Sequence, residues 1–161
     1  HEGRAERNSG LFNPRDWGCH LKIQIVRGAH FSCGYTFKVP KQTPAQNRKT
    51  YGDIFTEDGY GRNFRFEASF AGKVDPESGM IVNLADIDLW LKKVVDQLDH
   101  HFLNDDVEFF KTQVPTPENI TRFIFNEIAK QISPKLKITL TNVRLFENDT
   151  RWIDYRIATS S

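Results

Sequence analysis

Two adjacent residues, Asp99 and His100, form the feature of this sequence that is best suited to chemistry. A carboxylate beside an imidazole can orient the ring and raise its basicity near neutral pH, which is the minimum requirement for a proton relay. His101 follows directly and is an additional possibility. Most Asp-His dipeptides lie on the surface without a function, so the hypothesis depends on the elements around the pair.

An amphipathic helix precedes the pair, and a second, capped helix follows it. Apolar residues from Leu84 to Leu98 recur with the spacing of one helical face, so the first helix ends directly before Asp99. Thr116 is a good N-cap, and Pro117 suits the first position of a helix. The apolar stripe of the second helix consists of Ile120, Phe123, Ile124 and Ile128. The pattern therefore places Asp99 and His100 in the connection between two helices.

Strands flank the two helices on both sides. Apolar and polar residues alternate as in half-buried strands, with a turn at Gly28 and an irregularity near Asn142. The predicted strand segments are 21–26, which continues after the turn as 30–39, and then 63–70, 135–147 and 152–158. Residues 40–58 are polar, contain two prolines and are predicted to form a long loop. The order of elements, ββααββ, predicts an α+β fold in which an antiparallel four-stranded sheet carries two helices on one face.

Length and composition restrict the class of protein. A chain of 161 residues is most simply one domain, which we assign to residues 21–161, with residues 1–20 as an N-terminal extension. The 22 basic and 21 acidic residues give a formal charge of +1, so neither nucleic acid nor an anionic membrane is an expected partner. No apolar run reaches the ~20 residues that span a bilayer. The two cysteines form no CxxC pair and favour a reduced, cytoplasmic setting.

Five short motifs carry a resemblance to a known family. They are Gly79-Met80, Leu98-Asp99-His100, Leu103-Asn104, Pro115-Thr116-x-Glu118-Asn119 and Val143-x-Leu145-x-Glu147. In this order they resemble the 6-pyruvoyl tetrahydropterin synthase family, which includes the 6-carboxytetrahydropterin synthases of the queuosine pathway. The resemblance implies the tunnelling fold, in which the sheets of several subunits join into a β-barrel. It also implies a homo-oligomer, a trimer or a hexamer, with active sites at subunit interfaces and a pterin or purine-derived ligand.

The zinc ligands of this family are three histidines, one in a Phe-Ser-x-x-His segment and two in His-Gly-His-Asn-Tyr. The corresponding segments here are Phe31-Ser32-Cys33-Gly34-Tyr35 and Tyr60-Gly61-Arg62-Asn63-Phe64. Tyr35, Tyr60 and Arg62 therefore replace the three ligands. Arginine has no lone pair to offer a metal, and tyrosine is a poor zinc ligand at neutral pH. We expect no zinc at this position and assign no other metal or cofactor.

The synthases also carry a cysteine in the loop before His-Gly-His, where an Asp and a His activate it. Residues 49–58 contain no cysteine. Asp53, Glu57 and Asp58 could supply a carboxylate base, although acids in loops are usually only solvated. Cys33, on the strand that leads to the former ligand position, is expected to be a small buried hydrophobe.

The residues for pterin recognition and proton transfer are retained. By resemblance, Asp99 and His100 match the catalytic pair, and Glu147 matches the acid that anchors the 2-amino-pyrimidinone edge of the pterin. A carboxylate there can accept two hydrogen bonds from an amino group and a ring N–H. Thr116 and Glu118 match the turn that lines the same pocket, and a helix cap with an acidic first turn is the alternative explanation for both.

Arg62 has two possible roles at the vacated zinc position. It could bind a carboxylate or phosphate on a pterin-like ligand, since its guanidinium presents two parallel donors. Alternatively it could form a salt bridge to Asp99 or Glu57 and simply fill the site. We favour this filling role, because an unpaired buried charge is costly.

Several functions remain open at this point. The chain is expected to be a pterin-binding homologue whose synthase activity is altered or lost. Alternatives are a zinc-independent enzyme that acts through Asp99 and His100, and a structural paralogue that assembles with an active synthase. A standard zinc synthase, which belongs to the carbon–oxygen lyases, would have to recruit His20, His30 or Cys33 as substitute ligands.

Overall fold

The computed structural model describes residues 23–158. Four strands and four α-helices follow one another in this part of the chain. They are β1 (Gln24–Tyr35), α1 (Pro44–Tyr51), β2 (Tyr60–Gly72), α2 (Leu84–Leu98), α3 (Leu103–Asp106), α4 (Pro117–Ala129), β3 (Ile138–Asn148) and β4 (Arg151–Arg156). Short 3₁₀ turns lie at Gly52–Ile54 and Glu108–Lys111.

The strands form one antiparallel sheet in the order β1-β2-β3-β4, so each strand pairs with its neighbours in sequence. The pairing of β1 with β2 places Cys33 opposite Arg62. Between β2 and β3 the register shifts directly after Ser69, which pairs with Asn142. The predicted α+β class, the four-stranded antiparallel sheet and the irregularity near Asn142 are confirmed.

Helices α2 and α4 pack on the same face of the sheet and enclose the core with it. Over most of β1, β2 and β3 alternate residues are the more buried ones, as the pattern predicts, and the alternation breaks at the irregularity near Asn142. Fully buried side chains of the core include Phe64, Phe66, Phe70, Ile87, Leu98, Ile120, Ile124, Ile128 and Leu145. The predicted placement of two helices on one face of the sheet is confirmed.

Side-chain caps fix the beginnings of both long helices. The Asn83 side chain accepts the Ala85 N–H at the start of α2, and the Thr116 side chain accepts the Asn119 N–H at the start of α4. α2 ends at Leu98, so the connection that carries the Asp-His pair begins at the next residue. The predicted first helix and the predicted N-cap Thr116 are confirmed.

The predicted turn at Gly28 is wrong, because β1 continues through this residue. Gly28 pairs with Glu67 of β2 inside an unbroken ladder. At its other end β1 stops at Tyr35, earlier than the predicted end at Val39. The reason is that the main chain of Thr36 bonds to a side chain instead of to a strand.

The predicted loop 40–58 is also wrong in part, because it contains α1. This helix begins with a capping box in which Thr43 accepts the Gln46 N–H and the Gln46 side chain accepts the Thr43 N–H. Pro44 occupies the first turn. Asn47 is the buried residue of this helix, so the sequence shows no apolar stripe there. Helix α3 was likewise not predicted.

Some predicted features lie outside the described residues. They are the N-terminal extension 1–20 with Cys19 and His20, and Leu21 and Lys22 at the start of the first predicted strand. Within residues 23–158, no helix combines the length and the apolar character that a membrane span requires.

Candidate functional site

The segment that follows α2 runs along the outer edge of β1. The His100 N–H donates to the Ser32 carbonyl at 2.6 Å, and the Gly34 N–H donates to the His101 carbonyl at 2.9 Å. Phe102 then forms an isolated parallel bridge with Gly34. Because these bonds resemble those of a short additional strand, residues 100–102 are fixed to the sheet.

Asn104 holds the far end of this segment. Its Oδ1 accepts the Thr36 N–H at 2.9 Å, and its Nδ2 donates to the Thr36 carbonyl at 3.0 Å. A primary amide that bonds both main-chain groups of one residue takes the place of a partner strand. Because Thr36 is only 3% exposed, this contact satisfies two polar groups that have little access to water.

Asp99 is bound on both of its carboxylate oxygens. The Ser32 N–H donates to Oδ1 at 2.7 Å, and His100 Nδ1 lies 2.8 Å from Oδ2. Since a carboxylate can only accept, Nδ1 carries the proton and Nε2 is left to exchange a proton with a ligand. The Ser32 N–H, and after it His100, holds the pKa of Asp99 below its usual range. The two residues of the predicted pair are therefore in contact, and the carboxylate is ionised.

The backbone and the exposure of His100 distinguish it from its neighbours. It has a φ of 59°, in the left-handed region that non-glycine residues rarely adopt. Its side chain is 85% exposed, whereas that of Asp99 is 32% exposed. The His101 ring is turned toward the main chain, with Nδ1 2.9 Å from the Asp99 carbonyl. The His100 ring is thus held at its base and presented outward.

An open depression of about 500 Å³ lies beside His100. Its lining includes Ser32, Arg62, Asn63, His100, His101 and Phe102. This volume falls within the range of sites that bind small molecules, about 300 to 1,000 Å³. The depression therefore brings His100 of the predicted catalytic pair and Arg62, one of the predicted zinc-replacing residues, to a single surface.

Tyr35, Tyr60 and Arg62, which are predicted to replace the zinc ligands, do not provide a set of metal donors. Tyr35 and Tyr60 pair across β1 and β2, and their ring centroids are 4.9 Å apart. Burial, assisted by Tyr60, raises the pKa of the Tyr35 phenol. A neutral phenol and the guanidinium of Arg62 do not fit Zn²⁺. Elsewhere in residues 23–158, no group of three or more His, Cys, Asp or Glu residues is placed to hold a metal ion.

Arg62 reaches Glu147 on the neighbouring strand β3. Arg62 Nη1 lies 3.3 Å from Glu147 Oε1, and Arg151 Nε lies 2.5 Å from Oε2. The Glu147 side chain is 9% exposed. The expectation that Arg62 pairs with Asp99 or Glu57 is wrong, because Arg62 pairs with Glu147 of the adjacent strand and the main chain of β1 binds Asp99.

Thr116 and Glu118, the other two predicted pterin-binding residues, lie in the first turn of α4. Thr116 Oγ1 accepts the Asn119 N–H at 3.3 Å, and Glu118 is exposed. Within the described residues, neither Thr116 nor Glu118 forms a hydrogen bond or ion pair with Asp99 or His100. Neither residue is among those that line the depression beside His100.

The alternative candidates for a nucleophile and a base are Cys33 and three acids of the 40–58 segment. Asp53, Glu57 and Asp58 are exposed. Cys33 is buried, and its burial, with a smaller effect of the Asp99 charge, raises the pKa of its thiol to about 12. The thiol is therefore protonated at neutral pH, as expected for a residue that fills the core.

Comparison with known proteins identifies the family. A family model described as 6-pyruvoyl tetrahydropterin synthase matches residues 25–158. The chain belongs to the 6-pyruvoyl tetrahydropterin synthase family. The matched range includes Asp99, His100 and Glu147, and the three residues predicted to replace the zinc ligands.

Members of the 6-pyruvoyl tetrahydropterin synthase family resemble the chain over most of its length. The 6-pyruvoyl tetrahydrobiopterin synthase of Dictyostelium discoideum is 33% identical over 135 residues, which cover 83% of this chain and 96% of that protein. The Homo sapiens protein of the same name is 28% identical over 140 residues, 86% of this chain and 94% of the other. The solved structure of the Caenorhabditis elegans 6-pyruvoyl tetrahydropterin synthase superposes on this chain with a TM-score of 0.78 and is 30% identical to it. The match covers 86% of this chain and 97% of the other. The predicted family membership is confirmed.

Sequence reasoning did not assign roles to Ser32, Asn104 or Arg151. Asn104 belongs to a motif that carried the resemblance, so the sequence did contain a signal for it. Arg151 faces Glu147 across the connection between β3 and β4, which the predicted strands had already placed next to each other. Ser32 binds Asp99 through its main-chain N–H. Because almost every residue type supplies this group, the sequence contains no signal for the contact.

Proposed function

We propose that this family member binds a pterin at the depression beside Arg62 and exchanges a proton with it through Asp99 and His100. It does so without zinc at the family's ligand positions, so the standard synthase reaction is altered or lost. The observation that carries the proposal is the contact between Asp99 and His100 at 2.8 Å, anchored on β1 at the edge of the depression. The names of the relatives support a pterin as the ligand class.

Each residue would act through a group whose geometry supports the role. The Glu147 carboxylate would accept the amino group and a ring N–H of the pterin, since such a pair of parallel bonds suits a planar edge. Asp99 would hold the His100 ring by Nδ1, and the imidazolium that forms on protonation would be stabilised by the adjacent carboxylate. His100 Nε2 would take a proton from the ligand and return it. No step requires a metal.

We also propose that the chain acts as a cytoplasmic homo-oligomer, a trimer or a hexamer. β4 and the first part of β1, before the segment 100–102 bonds to it at Ser32, are the edges of the sheet, and edge strands are suited to pairing with another chain. A shared site would also let Thr116 and Glu118 of one copy approach the His100 of another. Light scattering on the purified protein should give three or six times the chain mass, and a monomer at micromolar concentration would contradict this part of the proposal.

The test combines elemental analysis with a titration of biopterin. Wild-type protein should contain no stoichiometric zinc and should bind biopterin saturably. Glu147→Ala should abolish this binding, whereas Glu57→Ala, which removes an exposed acid of the 40–58 segment, should leave it unchanged. Stoichiometric zinc would instead indicate a synthase with substitute ligands. Absence of both zinc and binding would favour a structural paralogue that depends on a partner.

A further inference from the structure

One buried carboxylate is paired with two guanidinium groups in this site. The Glu147 side chain is 9% exposed, and its two oxygens lie 3.3 Å from Arg62 and 2.5 Å from Arg151. A single negative charge neutralises only one of the two positive charges. Because Arg151 makes the shorter contact and can balance the charge of Glu147 by itself, Arg62 is a second, surplus cation.

Arg62 lines the depression and has donors that Glu147 does not use. Arg62 lines the depression together with His100, and its side chain is 34% exposed. A guanidinium has five N–H donors in a planar fork, and Arg62 uses one nitrogen to reach Glu147. Asp99, which the sequence offered as a partner for Arg62, is bound instead by a main-chain N–H and by His100. Within the described residues, Arg62 has no second carboxylate partner.

We propose that Arg62 is an anion receptor, which binds a carboxylate or phosphate substituent of the pterin and thereby selects anionic pterins over neutral ones. The inference rests on the proposed function, because it assumes that Glu147 anchors the heterocycle. When the anion binds, Arg62 exchanges its long contact with Glu147 for a bidentate contact with the ligand. Arg151 keeps Glu147 neutralised, so the exchange leaves no buried charge without a partner.

This exchange also predicts the behaviour of Glu147. In the free protein, Arg62 occupies an acceptor site on the carboxylate that the pterin edge would use. An anionic substituent draws Arg62 away and releases this acceptor, so the anion and the heterocycle favour each other's binding. A neutral pterin has to displace Arg62 from Glu147 without offering the guanidinium another anion. The preference for an anionic pterin should therefore be about tenfold or more in Kd, as for a charge-assisted bidentate contact.

The experiment measures quenching of pterin fluorescence with three probes: 6-carboxypterin, 6-hydroxymethylpterin and the phosphate ester of 6-hydroxymethylpterin. The variants are Arg62→Gln and Arg156→Gln. Arg156→Gln serves as the matched control, because this substitution removes the same charge from an exposed position of strand β4. A preference for the carboxylate or for the phosphate ester identifies which of the two anions the receptor accepts.

The expected result is that wild-type protein and Arg156→Gln bind an anionic probe at least about tenfold more tightly than the neutral one. Arg62→Gln should lose this preference while its Kd for 6-hydroxymethylpterin stays the same or falls, because Glu147 is released. Equal binding of all three probes by wild type, or a preference that survives in Arg62→Gln, would refute the role of Arg62 but leave pterin binding intact. Failure of wild type to bind any probe would overturn both proposals.

Discussion

Replacing Asn104 with alanine should loosen the segment that carries the proposed catalytic pair, Asp99 and His100. The substitution removes the acceptor of the Thr36 N–H and the donor to the Thr36 carbonyl, at a residue that is 3% exposed. A buried N–H without a partner costs about 1–3 kcal/mol, and the lost bond to the carbonyl adds about 0.5–1.5 kcal/mol. We therefore expect the free energy of unfolding to fall by about 2–4 kcal/mol.

Urea unfolding followed by circular dichroism, at one fixed protein concentration, measures this change. The control is Asn126→Ala, which removes an exposed amide from α4 and should change stability by less than about 0.5 kcal/mol. An NMR spectrum of the His100 ring should also shift in Asn104→Ala, because the attachment of residues 100–102 to β1 weakens. A loss below about 0.5 kcal/mol together with an unchanged His100 resonance would refute the idea that Asn104 positions the segment.

Three further predictions follow from individual contacts. Burial raises the pKa of the Cys33 thiol to about 12, so iodoacetamide at pH 8 should leave it unmodified in the folded protein and alkylate it after denaturation; peptide mapping that finds native alkylation would contradict this. The pKa of Asp99 is lowered in the folded state, so the stability it contributes is present above its ordinary value of 3.8 and is lost as the pH falls through the lower folded value. An NMR titration of its carboxyl carbon should accordingly have a midpoint below 3.8, and a midpoint above that value would be inconsistent with the bond from β1. Gly59→Ala should destabilise the protein by about 2 kcal/mol or more, because Gly59 has a φ of 71° and an added Cβ would lie 2.8 Å from the Tyr35 carbonyl. In the control Gly79→Ala only the positive φ is strained, so equal losses in the two variants would show that the close contact is unimportant.

Local sequence signals predicted the two long helices but not α1. Thr116 and Pro117 begin α4, and Thr43 and Pro44 begin α1 with the same pair of residue types. The difference is that an apolar stripe follows Pro117, whereas the residues after Pro44 are polar. Capping residues alone did not distinguish a short surface helix from a loop, because its stability comes from contacts that the pattern does not record.

At Gly28 the sequence predicted a break in regular structure where the protein has none. Glycine next to alternating residues suggested a turn, yet β1 continues because the ladder with β2 extends over its whole length. Local propensity is a weak guide where a partner strand supplies the hydrogen bonds. The bounds of β1 were set by pairing and by the competing Asn104 side chain, both of which involve residues distant in sequence.

The sequence by itself determined the order of the main elements, the face of each that is buried, the family and the identity of the residues that could act. Periodicity and capping are local, and the motifs are linear, so neither requires the folded state. Only the tertiary structure decided which charges meet. In the folded chain Asp99 accepts a main-chain N–H of β1, and Arg62 pairs with Glu147. Both contacts join residues that are far apart in the sequence. Because the energy of a charge depends on the distance to its partners and on its exposure to water, the chemistry of this site follows from packing.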